Sequence, residues 1–532
     1  MKKYTFLLLF VCQLFLHLGC KKENESPQWD IAIKGPLLKA SLTLDQLIAD
    51  SLQQINPDGS VNILYESDVF KLDPDSLFRI PDTTLKTLNI WQFIPYNVVP
   101  GSSFFSSNNN IQLGIAGPQL LEVLIRSGKI KLDIRNTLPS KVLVTYIIPK
   151  AIKNGLPFKV QEYVDSGSVS DPGIFSGTYD LDGYRIDLTG ASGNQTNTAY
   201  YNVEALSDPN GITFQIHAGD TLINLNSTIL QLKPEYGKGY LGQKNIHQSS
   251  TSFVGIGNII QSGTVNLDSI TMDMEIENGL GAELQAILTS FQSSNEHTGN
   301  SVNLVAPSVI NHVINLNRAS ETGNEADPVQ PTHTSIHLDN SNSNLISLLE
   351  NLPDRFIYDF DFGLNPLGNI SGSNDFLYRD HLVNTHLRVG FPLRFGLNQI
   401  ALVDTQEIAT GDVLNLDPVG PSIFTLIADN HFPFSLKLQL FLINEQGVMT
   451  DSLLVPSLID QALVDGNLRV TQSVRTKILI PVDAVRKQHL LDARRMAIRA
   501  TFTTPSYPSL VQMYSDYHLD LKLIADGIYS IR

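Results

Sequence analysis

Apolar and polar residues alternate along much of this 532-residue chain. The runs Lys129-Ile130-Lys131-Leu132-Asp133-Ile134, Gly183-Tyr184-Arg185-Ile186-Asp187-Leu188 and Ser435-Leu436-Lys437-Leu438-Gln439-Leu440 repeat with a period of two. Successive side chains of an extended strand point to opposite faces, so this period marks strands with one buried and one wet face. Pro57-Asp58-Gly59, Asp180-Leu181-Asp182-Gly183, Asp208-Pro209-Asn210-Gly211 and Glu445-Gln446-Gly447 supply tight turns between such runs. The pattern predicts a mainly β chain of repeated antiparallel β-sandwich-like modules with a few short capping helices.

Three stretches carry a helical period instead. Gly117-Pro118 precedes and Gly128 follows Leu120, Leu121, Leu124 and Ile125. This predicts a helix near 118–127, because proline suits a helix start and glycine its end. Thr43 and Gln46 are spaced as a capping box before Leu44, Leu47, Ile48 and Leu52. Leu345, Leu348, Leu349 and Leu352 predict a helix near 344–352 that Pro353 stops. These apolar stripes are expected to plug the open ends of β-sandwiches, with a lipid groove or partner site as the other reading.

One local pattern recurs. Asn136-Thr137-Leu138-Pro139, Asn278-Gly279-Leu280-Gly281 and Asn430-His431-Phe432-Pro433 each follow one alternating run and precede another, and Gly390-Phe391-Pro392 shares the context without the asparagine. Proline removes a ladder hydrogen bond and asparagine tolerates unusual backbone angles, so a strand can bend or change sheets there. The segments at Pro139 and Pro433 are expected to be equivalent kinks in two related modules. The pattern resembles the strand pair of the water-stress β-sandwich family. With the helix at Leu345 to Leu352 feeding Phe356 to Phe362, it is also similar to elongated lipid-binding proteins of the bactericidal/permeability-increasing type. The first resemblance implies β-sandwich modules and the second an apolar tunnel.

The amino terminus carries an address. Lys2 and Lys3 precede an apolar stretch from Tyr4 to Leu16, as in a secretory signal. The stretch stops before Lys21-Lys22-Glu23-Asn24-Glu25, short of the roughly 20 apolar residues of a membrane helix. Leu18-Gly19-Cys20 resembles the lipobox of bacterial lipoproteins, with His17 where that family prefers leucine. The resemblance implies cleavage and lipidation at Cys20, hence a membrane partner through a lipid anchor. Lys22-Glu23-Asn24-Glu25 is similar to the signal that sends some lipoproteins across the outer membrane, so the expected place is the outer membrane, facing the periplasm or the surface.

The expected organisation is a signal peptide over 1–20, a tether over 21–30, and a β-rich region with one helix over 31–105. A β-module with the 118–127 helix follows over 106–330, and a second with the 344–352 helix over 331–532. The polar stretch 295–333, notably Ser320-Glu321-Thr322-Gly323-Asn324-Glu325-Ala326-Asp327-Pro328, is expected to be a long exposed loop or linker.

Charge and cysteine usage narrow the chemistry. The net charge is −16, and losing Lys2 and Lys3 makes it −18. A surface this acidic repels phosphate backbones, so no nucleic-acid partner is expected. The two cysteines are Cys12 and Cys20, which leaves the mature fold without a disulfide and without thiol or thiolate–metal chemistry. The chain contains no G-x-S-x-G, no phosphate-binding G-x-x-x-x-G-K-S/T and no H-E-x-x-H, and Gly255-Ile256-Gly257 has Ile260 where a dinucleotide loop needs its third glycine.

His333 and His337 near Asp339, and His381 and His386 near Asp380, are the close histidine pairs. Residues four apart on a strand lie about 13 Å from each other, too far to share a metal. Asp180, Asp182 and Asp187 lack the calcium-loop spacing and read as an acidic turn. Asp354, Asp359 and Asp361 could pair as glycosidase carboxylates. Asp50-Ser51-Leu52, Asp75-Ser76-Leu77, Asp82-Thr83-Thr84, Asp220-Thr221-Leu222, Asp268-Ser269-Ile270 and Asp451-Ser452-Leu453 resemble a bacterial O-glycosylation acceptor.

No catalytic, cofactor-binding or metal-binding residue is assigned, and no cofactor is expected. The leading expectation is a lipid-anchored, non-enzymatic envelope protein that binds or scaffolds a protein, lipid or glycan. The alternatives are a lipid or glycolipid carrier with an apolar tunnel, and a glycan-binding surface lipoprotein. A continuous cavity would mark the carrier, and an exposed aromatic platform the glycan binder. Trp29 and Trp91 are the only tryptophans available for such a platform.

Overall fold

The computed structural model describes residues 29–44, 52–77, 79–253, 262–408, 416–505 and 507–531. The chain is mainly antiparallel β. The run 129–134 is strand as its period requires, with Ile130, Leu132 and Ile134 buried.

The strands form three modules with one shared topology. In the inner module the eight strands are, in order, Thr83–Ile90, Ser103–Gln112, Gln119–Asn136, Val142–Lys153, Leu156–Val164, Gly173–Asp180, Thr198–Ser207 and Thr221–Tyr240. The first pairs the eighth, the eighth the third and the third the sixth. The second pairs the seventh, the seventh the fourth and the fourth the fifth. A short strand, Arg185–Asp187, bridges the third and fourth.

The middle module uses Val61–Lys71, Lys244–Phe253, Thr271–Asn278, Leu284–Ser294, Ser301–Asn303, Thr332–Leu338, Arg355–Leu364 and Val383–Pro392. The outer module uses Trp29–Thr43, Arg394–Glu407, Ser422–Asn430, Ser435–Asn444, Met449–Leu454, Val474–Val482, Ala493–Thr503 and His518–Ile531. Both repeat the orders first–eighth–third–sixth and second–seventh–fourth–fifth. Two four-stranded sheets in these orders make a jelly roll, the two-sheet arrangement built from Greek keys.

The modules are nested in the chain. The inner one lies between the first and second strands of the middle one. The middle one lies between the first and second strands of the outer one, apart from Ser262–Leu267, which pairs with Arg394–Glu407. Compactness divides the chain into one unit of Met1–Asn62, Asn258–Asp268 and Pro392–Arg532, and another of Ile63–Gly257 and Ser269–Phe391. Sequential modules divided near 105 and 330 differ from this arrangement, because strands that share a sheet are separated by whole inserted modules.

Each jelly roll has an aromatic interior. Tyr146 and Tyr201 stack with centroids 5.2 Å apart in the inner module. Phe291, Phe356, Tyr358 and Phe360 fill the middle one, where the Tyr358 hydroxyl donates to the Val69 carbonyl at 2.8 Å. Phe424, Phe432, Phe434 and Phe502 fill the outer one. Aromatic side chains bury large apolar areas, and a buried tyrosine hydroxyl generally needs a partner.

The recurring asparagines close the turn from third to fourth strand in all three modules. Asn136, Asn278 and Asn430 are buried. The Oδ1 of each accepts the amide two residues on, from Leu138 at 3.0 Å, Leu280 at 2.9 Å and Phe432 at 2.9 Å. The Nδ2 of each donates to a carbonyl in the fifth-to-sixth connection, of Asp165, Asn317 or Asp460. Two residues beyond those carbonyls, the amides of Gly167, Ala319 and Ala462 donate back to Leu138, Leu280 and Phe432.

Three expectations are corrected or limited. Residues 118–127 are not helix. They open the strand Gln119–Asn136, in which Leu120, Val123 and Ile125 are buried, and pairing with Thr221–Tyr240 satisfies the backbone from outside. Gly128 sits where that partner passes close, and a Cβ there would fall 2.3 Å from Leu232 Cδ2 and 3.1 Å from its Cα. The stretch 295–333 does not join two modules but lies within the middle one. It holds the fifth strand and the long fifth-to-sixth connection, 304–331, which is largely exposed yet buries Ala319 and Val329 with Tyr236 and Phe376. The helix near 344–352 is present as Leu345–Glu350. Cys20, the tether up to 28 and residues 45–51 of the capping-box helix lie outside the described residues.

Candidate functional site

The histidines and aspartates singled out above are separately partnered. His333 and His337 lie on the sixth strand of the middle module, where their Nδ1 atoms meet Glu275 at 3.0 Å and Asp273 at 2.6 Å. The Asp273 hydrogen bond raises the His337 pKa. His386 meets Asp68 at 3.0 Å, while the His381 amide donates to the Tyr378 carbonyl and Asp380 faces Arg126 at 3.5 Å. Asp182 accepts the Gly128 amide and Asp187 the Thr189 amide. Asp180 lies 3.6 Å from Lys129.

Asp354 accepts the Glu296 amide at 2.5 Å, Asp359 accepts from Ser249 and Ser290, and Asp361 pairs with His247 at 2.7 Å. The Ser249 and Ser290 hydroxyls hold the Asp359 pKa down. Among the described residues, no three His, Asp or Glu side chains are gathered where one metal ion would reach them. Of the acceptor-like motifs, Ser269 is exposed, and Ser76 donates its hydroxyl to the Asp73 carbonyl.

A cleft of about 580 Å³ is lined by Asp75, Ser76, Arg79, Lys244 and Asn245. Its lysine is engaged, since Lys244 Nζ donates to the Ser76 carbonyl. The Asp75 carboxylate is held by Arg379 at 3.0 Å, which lowers its pKa.

A different kind of surface stands between the first and second strands of the inner module. Ile94 is 82% exposed, Phe93 68% and Tyr96 43%, and Ile90 and Val99 are also exposed. Phe93 meets the Trp91 ring edge-on, with centroids 5.2 Å apart at 71°, and Tyr96 lies 5.9 Å from it at 30°. Large side chains this exposed and this close together form a patch rather than the scattered apolar residues normal on a surface.

The patch is built on fixed backbone. The Trp91 amide donates to the Asp220 carbonyl at 2.9 Å, and the Gly219 amide donates to the Trp91 carbonyl at 2.8 Å. The indole Nε1 donates to the Ile94 carbonyl at 2.9 Å, which folds the tip over the ring. Tyr96–Val98 pairs with Phe214–Ile216, and Phe214 packs on Phe104 of the second strand. Asn97 and Gln215 stand opposite each other and are exposed.

The sequence reading reached Trp91 but not Phe93, Ile94 or Tyr96. A signal was present: no charged residue occurs from Thr87 to Leu121, between Lys86 and Glu122. A segment of strands and connections this long, with this many exposed positions, ordinarily carries charge, so its absence marks surroundings that are not only water.

No known protein family matches the chain, and no curated protein matches it significantly. Among solved structures, a protein of Parabacteroides distasonis assigned as secreted aligns over 53% of this chain and 83% of its own, with 15% identity and a TM-score of 0.26. An archaeal virus protein with a triple jelly-roll fold aligns over 88% of this chain and 95% of its own, with 12% identity and a TM-score of 0.12. A Broad bean stain virus structure aligns over 61% and 91%, with 8% identity and a TM-score of 0.16. The jelly-roll topology of this chain follows from its own strand pairing.

Proposed function

We propose that the mature protein is a lipid-anchored envelope protein, tethered through Cys20 at the outer membrane, that works by binding or scaffolding rather than by catalysis. The observation that carries the binding role is the cluster of exposed Phe93, Ile94 and Tyr96 around half-buried Trp91. An apolar patch kept in water opposes the hydrophobic effect and is a common mark of an interaction site. The carrier reading has less support, because aromatic side chains occupy the interiors of the three sandwiches where an apolar tunnel would run.

Two measurements test the proposal. Replacing Cys20 with serine is expected to give protein without covalent lipid that leaves the membrane fraction, and retained acylation would overturn the anchor. Covalent footprinting of Phe93 and Ile94 is expected to show protection in intact envelopes relative to purified protein. Equal labelling in both would overturn a contact at this patch.

A further inference from the structure

We infer that the occupant of the Trp91 patch is the interfacial layer of a lipid bilayer, a second contact besides the anchor. This deepens the proposed binding role and rests on it. The side chains are graded in the order such a layer requires. Phe93 and Ile94 are the most exposed, and Ile94 and Pro95 offer only aliphatic surface. Less exposed and in contact with each other are Trp91 and Tyr96, the two residue types that favour the headgroup level because their rings are apolar with one polar end.

Polar groups decide between a bilayer and a sugar. A sugar stacked on an aromatic ring needs hydrogen-bonding side chains around it. At the tip, from Ile90 to Pro95, the only polar side chains are Gln92 and the indole of Trp91, whose donor is already used by the Ile94 carbonyl. Hydrogen-bonding side chains begin after it, at Tyr96, Asn97 and Gln215. That internal bond removes the main cost of carrying the indole into a less aqueous layer.

Charge points the same way. The protein is acidic overall, so anionic headgroups would repel it, but the segment from Thr87 to Leu121 carries no charge. Asp220, whose carbonyl accepts the Trp91 amide, faces His217 at 3.5 Å, so zwitterionic lipid is the matching surface. Binding of this kind depends on buried apolar area and not on ion pairs.

The test uses the full mature chain with Cys20→Ser to remove the anchor and Trp29→Phe to leave Trp91 as the only tryptophan. Phosphatidylcholine vesicles are expected to shift Trp91 emission to the blue, and lipids brominated near the carbonyls to quench it. High salt is expected to leave both effects unchanged. Phe93→Ser with Ile94→Ser, two exposed positions, is expected to weaken partitioning by about tenfold or more. Unchanged emission with vesicles, or partitioning that the double variant does not alter, would overturn the inference. If vesicles have no effect while soluble oligosaccharides shift Trp91 emission, the lipid inference fails and the binding role stands. If vesicles and oligosaccharides both fail and footprinting finds no protection, the binding role fails as well.

Discussion

Asn136 and Asn430 make the same three side-chain hydrogen bonds in two different modules. Each accepts the amide two residues on, and each donates both to the carbonyl four residues on and to one in the fifth-to-sixth connection. Because both side chains are buried, removing either leaves two carbonyls and an amide without partners in a place water does not reach. Asn136→Ala and Asn430→Ala are expected to cost about 2–4 kcal/mol each in denaturant unfolding. Asn430→Asp is expected to cost more, since it turns an oxygen toward the Phe434 and Asp460 carbonyls. Asn210→Ala, at an exposed turn, is the control and is expected to stay within about 0.5 kcal/mol of wild type.

The middle module departs from the other two at one instructive place. Proline stands at 139 and 433, but the equivalent residue is Gly281. A Cβ there would lie 2.2 Å from the Phe376 ring, and one at Gly279 would lie 2.7 Å from the His381 carbonyl. Gly281→Pro restores the repeat in the sequence and yet is expected to destabilise the protein by about 1–3 kcal/mol or more, through overpacking and through loss of the Gly281 amide's 2.9 Å bond to the Phe376 carbonyl. Adding Phe376→Ala should relieve the clash, so the two changes together are expected to cost less than their sum in a double-mutant cycle.

The period-two runs were legible because one face of each strand is buried, and the kinks because asparagine and proline act on the backbone locally. The asparagine pattern marked a repeat, although its role as a clasp depends on Asp165, Asn317 and Asp460, which lie 29, 39 and 30 residues away. The nesting was not legible, since nothing local says that Val61–Lys71 and Lys244–Phe253 are successive strands of one sandwich. The stretch 118–127 misled because its leucines fit a helix, whereas burial follows Leu120, Val123 and Ile125 on a strand. Phe93 and Ile94 are not legible as a patch from residue type alone, since single phenylalanines and isoleucines are ordinary along a β chain; the informative signal is the missing charge from Thr87 to Leu121.

Two histidines are expected to move stability with pH in opposite directions. His431, inside the outer module's clasp, stacks on His518 with ring centroids 3.9 Å apart. Burial, followed by the charge of His518, lowers its pKa below the usual 6.5, against the opposing pull of Asp520, Asp429 and Asp516. The unfolded chain therefore takes up the proton first as pH falls, and stability is lost from about pH 6.5 downward. His337 has the reverse sign, because its raised pKa lets the folded state hold the proton longer. That stabilisation is fully present below the usual value and disappears as pH rises through the raised one. It is small because the Asp273 pair is exposed. Unfolding between pH 5 and 8 should show His431→Gln flattening the acid limb, and Asp273→Asn removing the weaker alkaline loss. Histidine titration by NMR gives the two pKa values directly, and a His431 value above 6.5 would reverse the first assignment.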